Sequence, residues 1–532
     1  MNRGMTIKTH FFAVAFGCLL VSASTSFSQT FQRTFGNTGS QTGTCIKSTL
    51  DGNYIIAGMA SGFSNGYEDV YLEKMDTGGN LLWSKAYGGT YKDRAYYLST
   101  CSDGGFIVTG STSVFTTGSN TNLLLLRTDS DGNIGWSVQV GGSADDFGWY
   151  TDQANDGGFI AVGSTKSFNT GNWDGYVVKT DAAGTLQWTK VIGGSNSDEF
   201  HGMNKTSDGG YIVTGLTSTN SFGSSDIWLM KLNSVGDTLW TRQYGKATED
   251  AGNSVVQTSD GGYIIAGDIH VNPAAGNHNS CLVKTDASGT LQWAKTYGSN
   301  PGTEIAWDVR QTSNGGYLFS GASAFYGNGG GGDILTIRTD NAGNMKWARA
   351  YGGTSFDDFW YSTKTPDEGN MLVGLTYEGG HNILVVRADS LGNSTCNTTT
   401  VSPDVNIPVL QVRSGTTVIT GGTASIPAFL LHSAPVTSTD PCALVALPEN
   451  MDLTPRASIY PNPLSRSATL LVTGPLPPGT ELGIYDLLGN CVLKQAIKSE
   501  YLRLDLDLKK GIYFYKLYDS GGVLSTGKII AE

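Results

Sequence analysis

The chain has 532 residues, of which 72 are glycine, 10% aromatic and only 15% charged. A formal net charge of −12 with no basic run excludes the electrostatic footprint of a nucleic-acid binder. Abundant glycine and aromatics with few charges describe an all-β protein rather than a disordered Gly-rich chain.

Residues 1–28 read as a secretory signal peptide. Arg3 and Lys8 form the charged start, Phe11–Val21 the apolar stretch, and Ser26-Phe27-Ser28 a small-x-small cleavage site before Gln29. No later segment is apolar for long enough to read as a membrane span. Cys45, Cys101, Cys281, Cys396, Cys442 and Cys491 follow the leader, none in a C-x-x-C pair, so zinc-finger and thioredoxin-like chemistry are unsupported. Export permits disulfides, and Cys396 and Cys442, which bracket one segment, are expected to bridge.

From residue 29 the chain repeats itself. A tight turn followed by an apolar run, as in Asp260-Gly-Gly-Tyr-Ile-Ile-Ala-Gly267, begins at Asp51, Asp103, Asp156, Asp208, Asp260, Asn314 and Asp367. The spacings are 52, 53, 52, 52, 54 and 53 residues, the mark of a repeat array. Each unit predicts four strands, the third ending in basic-x-acid/amide-x-x-Gly, as at Lys74/Asp76/Gly79 and Arg127/Asp129/Gly132. Four residues after that glycine comes Trp83, Trp136, Trp188, Trp240, Trp293 or Trp347, whereas the seventh unit has Cys396.

The missing seventh Trp strand has a counterpart. Phe31-Gln-Arg-Thr-Phe-Gly36 matches the pattern of Trp293-Ala-Lys-Thr-Tyr-Gly298 and sits alone at the start. A spare strand at one end and a deficit at the other predict a closed ring, because closure removes exposed strand edges. The expected fold over 29–396 is a seven-bladed β-propeller closed by the N-terminal strand. An open β-solenoid is the alternative, and it leaves the spare strand unexplained. The Asp-x-x-Gly-x-x-x-Trp pattern resembles the tryptophan-docking motif of pyrroloquinoline quinone dehydrogenase propellers, without that family's cofactor-binding residues. The whole unit, as in Trp83-Ser-Lys-Ala-Tyr-Gly-Gly to Asp103-Gly-Gly-Phe-Ile-Val-Thr-Gly110, more closely resembles a bacterial β-propeller repeat family of secreted proteins.

Residues 397–456 break the period and read as a Thr/Ser/Pro-rich spacer, with Val405–Thr420 alternating enough for a strand or two. Residues 457–532 carry short alternating runs that predict a small β-sandwich. The order of Ile459-Tyr-Pro-Asn-Pro463, Leu482-Gly-Ile-Tyr-Asp-Leu-Leu-Gly489, Gly511-Ile-Tyr-Phe-Tyr-Lys-Leu517 and Gly527-Lys-Ile-Ile530 resembles the C-terminal sorting domain of type IX secretion cargo, type A. The resemblance places the family motif on Pro461, Asn462, Pro463, Gly489, Gly511, Tyr513 and Lys528. It implies export across the outer membrane of a Gram-negative bacterium, with the secretion machinery as partner.

Two sets of residues recur at the start of each unit. Gln41, Asp93, Asp146, Asp198, Asp250, Glu304 and Asp357 lie ten residues before each turn. Acids there suit closure of tight turns by accepting backbone N–H groups better than a cation ring, with the recurring Lys and Arg as available partners. Three residues later come Thr44, Tyr96, Trp149, His201, Asn253, Trp307 and Trp360, with Tyr97, Tyr150 and Tyr361 adjoining. They belong near one mouth of the channel, either plugging it or stacking on sugar rings. Tyr96, Trp149, His201, Trp307 and Trp360 are the expected ligand-binding residues.

The loops between second and third strands vary most, and carry Trp173, His270 and His278. His270 and His278 have the chemistry to ligate a metal but, as two histidines without a carboxylate cluster, read as solvated loop residues, and His201, beside Asp198 and Glu199, as a weak general base. No catalytic motif, metal site or cofactor is expected. The expected function is a secreted or cell-surface binding or adhesion protein for an extracellular glycan or protein. The alternatives are a polysaccharide-degrading enzyme on the same scaffold and a purely structural surface protein.

Overall fold

The computed structural model describes residues 30–439 and 456–531, less 37–38, 63–66, 90, 114–119, 169–171, 273–275, 300, 328–330, 414–416, 420–422, 426–429, 434–436, 461–466, 474–478, 488, 498–500, 507 and 520–521. The expected signal peptide, Cys442, Pro461, Asn462 and Pro463 lie outside the described residues. Among those residues every regular element is a β-strand, and no helix is long and apolar enough to cross a membrane.

The recurring turn folds by local chemistry. Gly52, Gly104, Gly157, Gly209, Gly261 and Gly315 have φ between 81° and 86°, a region open to glycine at little cost. The turn carboxylate accepts the N–H two residues on, as from Gly158 to Asp156 Oδ1 at 2.9 Å. It also takes the basic residue of the third strand. Lys179 Nζ lies 2.7 Å from Asp156, Lys284 Nζ 2.9 Å from Asp260 and Lys74 Nζ 2.7 Å from Asp51. The two recurring sequence motifs therefore meet as one ion pair.

Seven sheets repeat one topology. In the third unit Asp146–Gln153, Phe159–Thr165, Asp174–Thr180 and Leu186–Gly193 pair in order, all antiparallel. The seventh unit supplies Asp357–Lys364, Asn370–Thr376 and Asn382–Ala388, and its fourth strand is the N-terminal Phe31–Gly36, with Phe31 opposite Arg387. The first strand of each unit packs against that of the next, and Gln41–Ser48 of the first unit packs against Asp357–Lys364 of the last.

Apolar clusters fill each junction between sheets. Phe35, Val373 and Ile383 of the last sheet share one with Ile46 and Ile56 of the first. The tryptophan of each of the first six units rests on the third-strand turn glycine of the following one. A Cβ built at Gly132, Gly184 or Gly236 would lie within 2.3–2.8 Å of Trp83, Trp136 or Trp188, so only a glycine admits the ring.

Residues 398–439, within the stretch read as a spacer, add a fifth strand to every one of these sheets. Thr398–Thr400, Asp404–Asn406, Gln411–Arg413, Thr417–Ile419, Thr423–Ser425, Leu430–Ser433 and Thr437–Thr439 pair in turn with the fourth strands of units six, five, four, three, two, one and seven. Each satisfies backbone groups on an edge that would otherwise be open to pairing with another chain. Cys396, just before the first of them, is disulfide-bonded, whereas Cys45, Cys101, Cys281 and Cys491 are free.

Residues 443–532 form a separate unit. Its sheets are Arg456–Tyr460, Ser467–Thr473 and Tyr501–Asp505, and Cys491–Ala496, Glu481–Tyr485, Gly511–Asp519 and Gly522–Ala531. Leu470, Leu482, Ile484, Leu517 and Ile529 are fully buried in its core. Gly489 closes a turn at φ 83°, donating to Asp486 O, and the Tyr513 hydroxyl donates to Lys509 O at 2.9 Å. Gly511 opens one strand and Lys528 pairs opposite Phe514.

Candidate functional site

In every unit the register of the first strand against the second slips once, and the extra residue is Thr44, Tyr96, Trp149, His201, Asn253, Trp307 or Trp360. A bulge sets two successive side chains against one partner residue and re-aims them locally. That is why the bulge residue and its successor act together. All seven bulge residues line one cavity of about 240 Å³, joined in five units by the successor, Tyr97, Tyr150, Gly202, Ser254 or Tyr361.

The rings form three groups. Tyr96 and Trp149 lie 4.5 Å apart, centroid to centroid, and Trp307 and Trp360 stack at 6.0 Å with planes 24° apart. Tyr97 stacks on Tyr150 at 3.9 Å and meets Tyr361 edge-on at 5.0 Å. Lys47, three residues beyond Thr44 on the same strand, sits over Tyr361 and Tyr97 at 4.1 and 4.6 Å and donates to the Tyr361 hydroxyl at 2.9 Å. The Tyr97 and Tyr361 hydroxyls are 2.9 Å apart. Burial holds the phenols of Tyr97 and Tyr361 well above their usual range, so they serve as neutral hydrogen-bonding groups.

Polar contacts orient the rim. Trp149 Nε1 donates to Ser164 Oγ at 2.9 Å, and Asn253 Nδ2 donates to Ala306 O at 3.0 Å. His201 Nδ1 lies 3.0 Å from Asn253 Oδ1. Trp360 Nε1 is buried without a partner among the described residues. Buried donors of that kind are rare in folded proteins.

His201 does not join the acids next to it in sequence. Asp198 instead accepts from Gly194 N at 2.7 Å and Thr219 Oγ1 at 2.8 Å. The same pattern runs through the acid set. Asp93, Asp146, Asp250 and Asp357 accept the N–H of the residue four positions before, at 2.7–3.0 Å, and Glu304 that of Ser299 at 3.0 Å. These acids hold turns, and the recurring Lys and Arg pair with the Asp-Gly carboxylates. Burial pushes Asp93 up to about 7 and Asp146 up to about 6.

Gly202, Ser254 and Lys47 carry no aromatic or charge pattern that marks them in the sequence. The first two occupy the position of Tyr97 in their own units, so repeat alignment alone could have found them. Trp173 stands outside the cavity lining, with its ring 5.4 Å from Phe147.

Residues 458–532 match the secretion-system C-terminal sorting domain family. The chain therefore carries a type IX sorting domain, which implies engagement with that secretion machinery and a secreted or cell-surface destination. No curated protein matches the chain. Among solved structures it is similar to PorZ, an essential bacterial surface component of the type IX secretion system of Porphyromonas gingivalis, at 12% identity and a TM-score of 0.37. That likeness covers 90% of this chain and 58% of PorZ. A protein of unknown function from Dyadobacter fermentans is similar at 10% identity and a TM-score of 0.33, over 68% of this chain and 95% of its own.

Proposed function

We propose that the chain is a non-enzymatic binding protein of the cell surface or exterior, and that its ligand is a carbohydrate held in the bulge-lined cavity. A signal peptide at residues 1–28 takes it across the inner membrane, and residues 457–532 direct it across the outer one. The seven sheets are blades of a closed propeller. Closure is supported by the Phe31–Gly36 strand in the last sheet and by the circuit of short strands from 398 to 439, which visits all seven sheets in cyclic order.

One observation carries the binding reading. The bulge residue of every unit lines the same cavity, yet its chemistry changes from unit to unit, while the packing residues Trp and Gly repeat. Packing alone would favour repetition. Seven aromatic rings beside an imidazole, an amide and hydroxyls suit stacking on sugar faces and hydrogen bonding to their hydroxyls.

Affinity electrophoresis against a panel of soluble polysaccharides tests this, with a Trp149→Ala/Trp307→Ala/Trp360→Ala variant shown to be folded. Retardation of the parent that the variant loses is the expected result. Equal retardation of both, or of neither, overturns the carbohydrate assignment to this cavity.

A further inference from the structure

The fifth unit departs from the others in its second and third strands. They extend over Tyr263–Asn272 and Asn277–Thr285, ten and nine residues where the second unit has seven in each. The extension sets His270 opposite His278 across the hairpin. Their imidazoles stack with centroids 4.4 Å apart and planes 7° from parallel. Glu249 lies alongside: its carbonyl accepts the His270 N–H at 3.1 Å, and one atom of its carboxylate and one nitrogen of each imidazole fall within 4.8 Å of one another.

Two further features separate this cluster from an incidental pair of loop histidines. His270 Nε2 is buried and has no hydrogen-bond partner among the described residues. A nitrogen lone pair removed from water in this way is normally satisfied, and a metal ion satisfies it. His278 Nδ1 lies 2.7 Å from Oδ2 of the buried Asp268, which leaves Nε2 as its ligand atom, and because an imidazole coordinates in its own plane the two stacked rings must turn out of parallel to share an ion. A carboxylate behind an imidazole is the usual outer support of a metal-binding histidine, orienting it and raising its basicity.

We propose that Glu249, His270 and His278 bind one divalent transition-metal ion of the zinc class. Two nitrogen ligands and one carboxylate suit zinc, cobalt or nickel, whereas calcium and magnesium take oxygen ligands. Three protein ligands leave a coordination position open to water or to a ligand group. The other oxygen of Asp268 receives Asn253 Nδ2 at 3.4 Å, and Asn253 Oδ1 meets His201 in the cavity wall. One hydrogen-bonded chain therefore links the ion's outer support to the cavity, although ion binding does not depend on what the cavity holds.

The test is calorimetric titration of the untagged, metal-stripped full-length protein with zinc, repeated with cobalt(II) followed by absorption. One ion per chain, with a ligand-field band on cobalt binding, is expected. His270→Gln/His278→Gln should abolish saturable binding, and Asp268→Asn should keep the stoichiometry while weakening affinity about 10- to 100-fold. Absence of saturable binding to the parent, or one-ion binding retained by the double variant, overturns the proposal. If the double variant is misfolded, Glu249→Gln decides, because that side chain is exposed: affinity equal to the parent's overturns the site.

Discussion

Phe31 lies against Gly79, and a Cβ added to that glycine would sit 2.8 Å from the phenylalanine ring. The same relation joins Trp83 to Gly132 and Trp347 to Gly392, so Phe31 fills the place of the tryptophan that the seventh unit lacks. Gly79 also holds φ at 78°. Phe31→Ala should therefore cost about 3–5 kcal/mol, as for truncation of a buried aromatic ring. Gly79→Ala should cost about 1–3 kcal/mol through backbone strain and displacement of the ring. Denaturant unfolding checks both, and a Phe31→Ala variant as stable as the parent would contradict closure through the N-terminal strand.

Cys396 is disulfide-bonded and stands at the start of the 398–439 circuit. With Cys442 as the partner expected from the sequence, the bridge would fasten both ends of that circuit. Cys396→Ser should then lower stability by about 2–4 kcal/mol, the usual range for a long closed loop. Reduction of the parent should produce the same loss and leave Cys396→Ser unchanged in thermal unfolding.

Glu73 is fully buried, with the Tyr71 hydroxyl donating to Oε2 at 2.7 Å, and burial pushes its carboxyl up to about 8. A carboxyl raised above its unfolded value contributes stability that is complete below the unfolded pKa and lost as pH rises through the folded one. The loss should run from roughly pH 4.5 to pH 8. Asp93, at about 7, and Asp226, at about 6, act in the same direction. Glu73→Gln should flatten this dependence and gain on the order of 3 kcal/mol near pH 8, with no gain at low pH. Chemical denaturation across pH reads both.

Lys179 is 3% exposed while its partner Asp156 is 55% exposed, so the two ends of the pair are not equivalent. Asp156→Ala leaves a buried ammonium without its counter-charge and should cost about 1–3 kcal/mol. Lys179→Met removes the charge and keeps the bulk, so it should cost less. A double-mutant cycle by denaturant unfolding measures the asymmetry.

Much of the architecture was legible in the residues because it is local. Asp-Gly turns, basic-x-acid-x-x-Gly ends and alternating runs recur at a fixed period, and the Phe31 strand stood out by matching a pattern with no unit of its own. The sorting domain was legible through Gly489, Gly511 and Tyr513 in their order. The seven bulge residues that line the cavity stand out by counting from the turn, since the repeat places them at one equivalent position.

Tertiary structure decided the rest, for reasons of distance along the chain. A bulge exists only when a strand pairs with its neighbour, so nothing in Trp149 or His201 alone tells that two successive side chains share one cavity. Strands of three or four residues, such as Gln411–Arg413, are too short to display a period and form only where a sheet edge awaits them. Glu249 is 21 residues from His270, and only the extended hairpin of the fifth unit brings that carboxylate to the two imidazoles. The sequence by itself determined the turns, the long strands and the sorting domain. The folded chain alone decided which side chains meet, because those meetings join residues that no local pattern connects.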